Sequence, residues 1–356
     1  MKTVAESAGV SRATVSYVLN GRHHEKGLNI NPETVLKVEA TAAELGYRRN
    51  EIARSVRTGK TNVFGFIGTM EASYTMDIIS GIATTCEENN YLLKFFQLNN
   101  NIDIALIAKQ CIEQRLSGVI CRSLTEEELN ILHKELQAFE MPIVLVDNSF
   151  SHNWCSRVIS DDIAGGRMAV EYLLKLGHQK IANISNPLDN GFSFMRHTGY
   201  CHALADAGIE RDEQLTCIVP LNYEITEAFY AIVKQLLIEQ QPTAIFCSSD
   251  PIAMKIIQVA NDEGLRVPED ISIIGYAGLI YTQLSTPQLT TVKQPFIDMG
   301  KEAAKILIEE ITQKTPIREV KLAVELIIRK STVPVNNKLA SNIINPTHCG
   351  KEVKDS

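Results

Sequence analysis

The chain has 356 residues, 45% of them apolar, and its 35 basic and 42 acidic side chains leave a net charge of −7. That length suits two or three domains with sizeable cores. No apolar run approaches the ~20 residues of a membrane helix, and the first residues lack the apolar segment of a secretion signal, so a soluble intracellular protein with no membrane contact is expected.

The charge is split along the chain. Residues 1–62 hold ten basic and six acidic side chains, giving +4, and the remainder holds 25 and 36, giving −11. Phosphate contact confined to one end is the reading of such a division.

The first twenty residues read as a helix, a tight turn and a second helix. Thr3 is placed to cap the first helix, and Glu6 three residues later completes a capping box. Gly9 supplies the turn, and Ser11 caps the next helix, Arg12 to about Leu19. Val4, Ala5, Ala8, Val10, Val15, Val18 and Leu19 face inward, leaving Arg12, Ala13, Ser16 and Tyr17 outward. A short helix with such an N-terminal end suits the DNA major groove. A polar loop follows over 21–30. Asn31 as cap and Pro32 at the first helical position then open a third helix that stops at Gly46, with Val35, Leu36, Val38, Ala42 and Leu45 as its apolar face. Residues 1–46 therefore form a three-helix head. Residues 47–62 are a basic linker with Arg48, Arg49, Arg54, Arg57 and Lys60, in which 50–57 can form two helical turns, marginal alone.

From Val63 the pattern alternates. Strands are expected at 63–68, 92–97, 118–121 and 142–147, separated by amphipathic helices near 76–90, 102–115 and 125–138. A second set follows, with strands at 181–185, 217–221, 244–249 and 271–276 and helices near 163–176, 194–207, 225–239 and 251–263. Strand 289–295, a helix near 296–312 and strand 320–330 come last. Two successive βαβ arrays imply two doubly wound parallel-sheet subdomains. The fold class is thus α/β with an N-terminal helix-turn-helix head. The core spans 63–333, the chain crosses between its halves near 161 and 290, and the polar tail 334–356 is expected to be disordered.

Enzyme readings find little. Gly65 to Gly68 is neither a dinucleotide fingerprint nor a P-loop, and no nucleophile elbow, zinc-protease or paired-cysteine motif appears. The eight cysteines, at 86, 111, 121, 155, 201, 217, 247 and 349, form no C-x-x-C pair and read as reduced thiols, with no metal and no cofactor. His178 follows a helix-ending Gly177, where a donor side chain favours a helix C-terminus.

The head carries Val4-Ala5, Ala8-Gly9-Val10-Ser11, Thr14-Val15-Ser16 and Val18-Leu19-Asn20, followed by Pro32-Glu33-Thr34, Leu45-Gly46-Tyr47 and Ala53-Arg54-Ser55-Val56-Arg57. The core carries Gly165-Gly166, Leu176-Gly177-His178, Val267-Pro268, Asp270-Ile271-Ser272, Thr286-Pro287 and Leu289-Thr290-Thr291. On these strings, in this order, the chain resembles the lac repressor and purine repressor family of bacterial transcription regulators. The resemblance implies a periplasmic-binding-protein-like core and a nucleoid-associated homodimeric repressor whose heads read half-sites of a palindromic double-stranded DNA operator. Arg12, Ala13 and Tyr17 would set base preference, and Thr3, Ser11, Thr14, Ser16 and Asn20 would hold backbone or groove edges. Arg12 donating twice to guanine would be worth roughly 1–3 kcal/mol. Hinge residues Asn50, Ala53, Arg54, Val56 and Arg57 would meet the central minor groove.

The resemblance also implies a small-molecule effector, a sugar, sugar phosphate or other metabolite, between the subdomains. Carried over by position, its contacts would be Tyr74, Asp147, Asn190, Phe192, Arg196, Tyr223, Ser249 and Asp250. Four departures stand out. The loop over 21–31 is longer than usual, Arg49 replaces a proline, and Val56 replaces the usual wedging Leu. Ala277-Gly278 stands where an effector-binding Asp is usual, which favours an anionic or less hydroxylated effector, or a degenerate pocket, unless Asp147 or Asp161 substitutes. Control by a partner protein, and a ligand-binding module without DNA function, are the alternatives.

Overall fold

A computed structural model describes residues 1–19, 30–47, 61–70, 72–99, 103–188, 191–220 and 225–335. The linker residues 48–60, with the expected hinge helix, and most of the tail lie outside that set. The chain divides into two units, residues 1–61 and 62–356.

In the head, α1 (Lys2–Ala8) ends at Gly9, whose φ of 65° is the left-handed conformation that glycine adopts without strain. Helix α2 (Arg12–Leu19) is capped by the Ser11 hydroxyl, which accepts the Thr14 N–H at 3.0 Å. Helix α3 (Pro32–Glu44) opens as read, with the Asn31 side chain accepting the Glu33 N–H at 3.0 Å. Val4, Ala5, Ala8, Val15, Val18, Val38 and Ala42 share one core. Two expectations are corrected. Helix α1 already begins at Lys2 with Met1 at its N-cap and no side-chain cap, so Thr3 lies within the first turn and caps nothing. Leu36 and Leu45 are exposed. The inward stripe of α3 runs Val35, Val38, Ala42; Leu36 is one residue, roughly 100°, off it, and Leu45 lies past the last turn.

The core holds two six-stranded sheets. The first half contains β1 (Val63–Gly68), α4 (Thr75–Glu88), β2 (Leu92–Gln97), α5 (Ile104–Glu113), β3 (Gly118–Cys121), α6 (Glu126–Leu136), β4 (Ile143–Val146) and β5 (Ser156–Ser160). The second contains α7 (Asp162–Lys175), β6 (Ile181–Ser185), α8 (Gly191–Asp206), β7 (Thr216–Ile218), α9 (Glu227–Gln235), β8 (Ala244–Cys247), α10 (Asp250–Asp262), β9 (Ser272–Ala277) and β10 (Thr290–Lys293). The chain then returns to the first half as α11 (Phe296–Gln313) and β11 (Glu319–Leu322), and ends in the second as β12 (Glu325–Ile327). Strand order is β11-β5-β4-β3-β1-β2 in one sheet and β12-β10-β9-β8-β6-β7 in the other. Among the described strands only β10–β12 pairs antiparallel.

Two strands depart from the reading. Strand β5, Ser-Arg-Val-Ile-Ser, has polar ends and a half-buried Arg157 that needs Glu319 of β11, so its short apolar centre gives little signal. The expected single strand 320–330 is two strands in different sheets, which makes a third crossing at 323–324.

Each half brings two helices into near contact through paired glycines. A Cβ on Gly81 of α4 would lie 2.0 Å from the Ile297 carbonyl, and one on Gly300 of α11 2.0 Å from that of Ile78. In the second half, a Cβ on Gly199 of α8 or Gly166 of α7 would meet the other helix's carbonyl at 2.2 Å. These crossings fix where the first turns of α4 and α8 stand at the sheet ends.

The His178 side chain does not close the end of α7, although its backbone N–H donates to the Leu173 carbonyl at 3.1 Å. It is buried, with Nε2 donating to the Val333 carbonyl at 2.9 Å and Nδ1 3.1 Å from the Thr243 hydroxyl. Burial lowers its pKa, and the Val333 bond opposes that. The Val335 N–H donates to Leu176, so the tail's first residues are pinned to the core.

Candidate functional site: the head surface and the inter-subdomain cleft

On the head, Thr3, Ser11, Arg12 and Ala13 are exposed, while Thr14, Ser16 and Tyr17 are half-buried. The Ser11 and Thr14 hydroxyls are 2.9 Å apart. The N-terminal end of α2 thus carries an exposed guanidinium, an exposed methyl group and two linked hydroxyls. Asn20, Asn50, Ala53, Arg54, Val56 and Arg57 lie outside the described residues.

In the core, a cavity of about 320 Å³ lies between the two halves, at the carboxyl ends of their strands. Parallel sheets place ligands there because the chain turns back on opposite sides and leaves a crevice. Arg122 and Asp147 directly follow β3 and β4 and form a pair in which both side chains are about 5% exposed. Arg122 Nε and Nη2 each lie 3.1 Å from Asp147 Oδ2, and Nη2 donates to the Tyr74 hydroxyl at 2.6 Å. Burial opposes the Arg122 charge, but Asp147 and Tyr74 outweigh it and raise its pKa. Tyr74 packs under the guanidinium at 4.6 Å and stacks on Phe296.

The opposite wall is organised by Arg196 of α8. Its Nε donates to Asp162 at 2.6 Å, Nη1 to the Ser248 carbonyl at 2.8 Å and Nη2 to Gln294 at 3.3 Å. The Tyr276 ring lies beneath it at 4.1 Å. Gln294 donates to Ser160, which donates to Asp162. Asp162 and Gln294 sit at the first and second crossings between the halves, so Arg196 ties the cavity wall to both. A guanidinium has five N–H donors, and these bonds leave it capacity for a ligand. Burial works against its charge, but Asp162 chiefly holds its pKa above the usual value.

Of the residues expected at the effector site, Tyr74, Asp147, Phe192, Arg196 and Ser249 line the cavity. Asn190 and Tyr223 lie outside the described residues. Asp250 sits behind the wall, fully buried. It accepts from the Thr291 hydroxyl at 2.6 Å and the Leu279 N–H at 2.8 Å, and so holds the turn after β9. Burial pushes its pKa up to about 6, against those bonds. Asp161 caps α7 through the Ala164 N–H. Asn186, Ser193, Lys255 and Gln294 also line the cavity and were not anticipated. Arg122 had a usable signal, as a charged residue directly after a four-residue buried strand. Gln294 and Lys255 had none, because only the second crossing and the packing of α10 bring them to the cleft.

Such a molecule is a helix-turn-helix protein joined to a two-lobed ligand-binding core. A family model described as bacterial regulatory proteins, lacI family, matches residues 1–50, and one described as a periplasmic binding protein-like domain matches 170–332. The HTH-type transcriptional repressor PurR of Vibrio atlanticus (strain LGP32) is 32% identical over 345 residues, covering 95% of this chain and 99% of that protein. The PurR of Erwinia tasmaniensis is 33% identical over 321 residues, covering 88% and 91%. Among solved structures, the lac repressor dimer bound to operator and the anti-inducer ONPF has a TM-score of 0.72 at 25% identity, covering 93% of this chain and 98% of that one. The transcriptional regulator CelR–cellobiose complex has a TM-score of 0.68 at 28% identity, covering 92% and 98%. The chain belongs to the lacI family of bacterial regulatory proteins and is a DNA-binding transcription repressor with an effector-binding core. No described helix is long and apolar enough to cross a membrane.

Proposed function

We propose that the chain acts without catalysis, as a homodimer on a palindromic operator, with operator affinity set by a small molecule seated between the two halves of the core. Residues 1–46 read DNA, 47–62 couple the head to the core, and the core binds the effector and forms the dimer. The Arg196 network carries this reading, because one side chain lines the cavity and bonds groups at two crossings. A ligand on Arg196 changes the angle between the halves, and so the pairing of segments 50–57 from the two protomers. Coupling requires only that the ligand bind the two arrangements unequally.

The effector is a metabolite with an anionic or acceptor-rich group and a partly apolar body. Asp147 and Asp162 are bonded to arginines, Asp250 is behind the wall, and Ala277 offers no acceptor. Lys255 adds a cation, and Ala72, Phe192, Pro251, Ile252 and Leu279 give apolar surface.

The DNA reading is tested by selecting bound sequences from a random duplex library, where a palindrome should be enriched. Arg12→Ala should then weaken operator binding by roughly 1–3 kcal/mol and leave unspecific binding nearly unchanged. Equal losses on both DNAs would remove Arg12 from base reading.

A further inference from the structure

Cys201 lies one helical turn after His197 on α8, so the two side chains share a face. Its Sγ is 3.4 Å from His197 Nε2 and 3.8 Å from Arg211 Nη1. The tautomer of His197 follows from its other neighbour. Asn183 Nδ2 donates to the Phe246 carbonyl, which orients the amide and leaves Oδ1 facing His197 Nδ1 at 2.8 Å. An amide oxygen only accepts, so Nδ1 carries the proton and Nε2 presents a lone pair to the thiol. Asn183 is fully buried and His197 nearly so, which holds the imidazole in place. Burial, and then Arg211, lower the His197 pKa, so the ring stands neutral at neutral pH and keeps its Nε2 lone pair.

The other described cysteines lack this setting. Cys86, Cys111, Cys121, Cys155 and Cys247 are buried, and burial raises each thiol pKa. Cys217 is half-exposed like Cys201, yet burial still raises its thiol. Around Cys201 the further polar groups are Tyr200, which donates to the Ile181 carbonyl, Asp212, which caps the turn over Glu213–Leu215, and Glu213, which pairs with Arg211.

We propose that Cys201 is a reactive thiol, oriented by His197 and Asn183 and faced by the Arg211 side chain, that is modified by low-molecular-mass disulfides. In the exchange the Cys201 proton passes to His197 Nε2, and Sγ attacks one sulfur of the disulfide. A new S–S bond forms as the old one breaks, and the departing thiolate takes the proton from His197, leaving a mixed disulfide and one free thiol.

Full-length protein is exposed to oxidised glutathione, and separately to iodoacetamide, at neutral pH, with modification at each cysteine followed by peptide mass spectrometry. Cys201 should react about tenfold faster than Cys217 with both reagents, because a neutral imidazole stands in contact with its thiol to take the proton. His197→Gln should remove most of that advantage. Arg211→Gln, at an exposed position that leaves the fold untouched, should cut it severalfold. Rates at Cys201 no greater than at Cys217, or unchanged in both variants, would overturn the proposal.

Discussion

The two halves of the core are built on one plan and present different chemistry to the space between them. Register makes the match explicit. Ile120 of β3 pairs with Val144 of β4, and Phe246 of β8 pairs with Ile274 of β9. Three residues beyond each partner the chain turns at positive φ, at Asp147 (49°) in the first half and Ala277 (122°) in the second. The same strand end therefore carries a carboxylate in one half and a methyl group in the other. The cation that answers Asp147 is Arg122, on the neighbouring strand end. The second half places Arg196 on a helix and answers it with Asp162 at a crossing. A repeated scaffold fixes where side chains emerge and leaves their charge free to diverge. Here the divergence puts the group that spans the crossings on the second half alone.

The pairs are the strongest test of that contrast. Asp162→Ala or Asp147→Ala leaves a buried arginine without its carboxylate and should cost about 3–5 kcal/mol of unfolding free energy. Urea denaturation measures it, and losses under about 1 kcal/mol in both variants would mean water already reaches the pairs.

A second difference is the behaviour of Asp250. Its pKa of about 6, raised from 3.8, means that the folded chain holds this proton more tightly than the unfolded chain. Stability from this group is therefore fully present below pH 4 and falls as pH rises to 6, by on the order of 3 kcal/mol. Relative to Asp250→Asn, the wild-type chain should lose stability across that window. A constant difference between the two from pH 4 to 7 would refute it. The smallest effect is at the matched turn. Ala277→Gly relieves a conformation that costs side-chain-bearing residues energy, and should raise stability by about 1 kcal/mol in thermal unfolding. An unchanged or lower midpoint would show that the turn is unstrained.

Much of the core was legible because its strands are short, apolar and separated by amphipathic helices; β1, β2, β3 and β6 match their expected ranges. Periodicity does not show which sheet a late strand joins, so the third crossing between β11 and β12 escaped notice. The head was legible from Gly9, Ser11, Asn31 and Pro32, each acting locally. Thr3 failed as a cap because the helix starts two residues earlier than its capping pattern suggests. In the cleft, Arg196 and Tyr74 were found through resemblance, but Asp250 was misplaced, since one sequence cannot tell a wall residue from the buried group behind it.

If a ligand held by Arg196 sets operator affinity, DNA binding must respond to that ligand through this one side chain. The direct measurement is operator binding by fluorescence anisotropy, with and without a filtered small-molecule extract of the source cells, for wild type and for Arg196→Lys, which keeps the charge but not the forked contacts to Asp162, Ser248 and Gln294. A shift of about fivefold or more is expected in wild type, and little or none in the variant at comparable basal affinity. An equal shift in both proteins would contradict it.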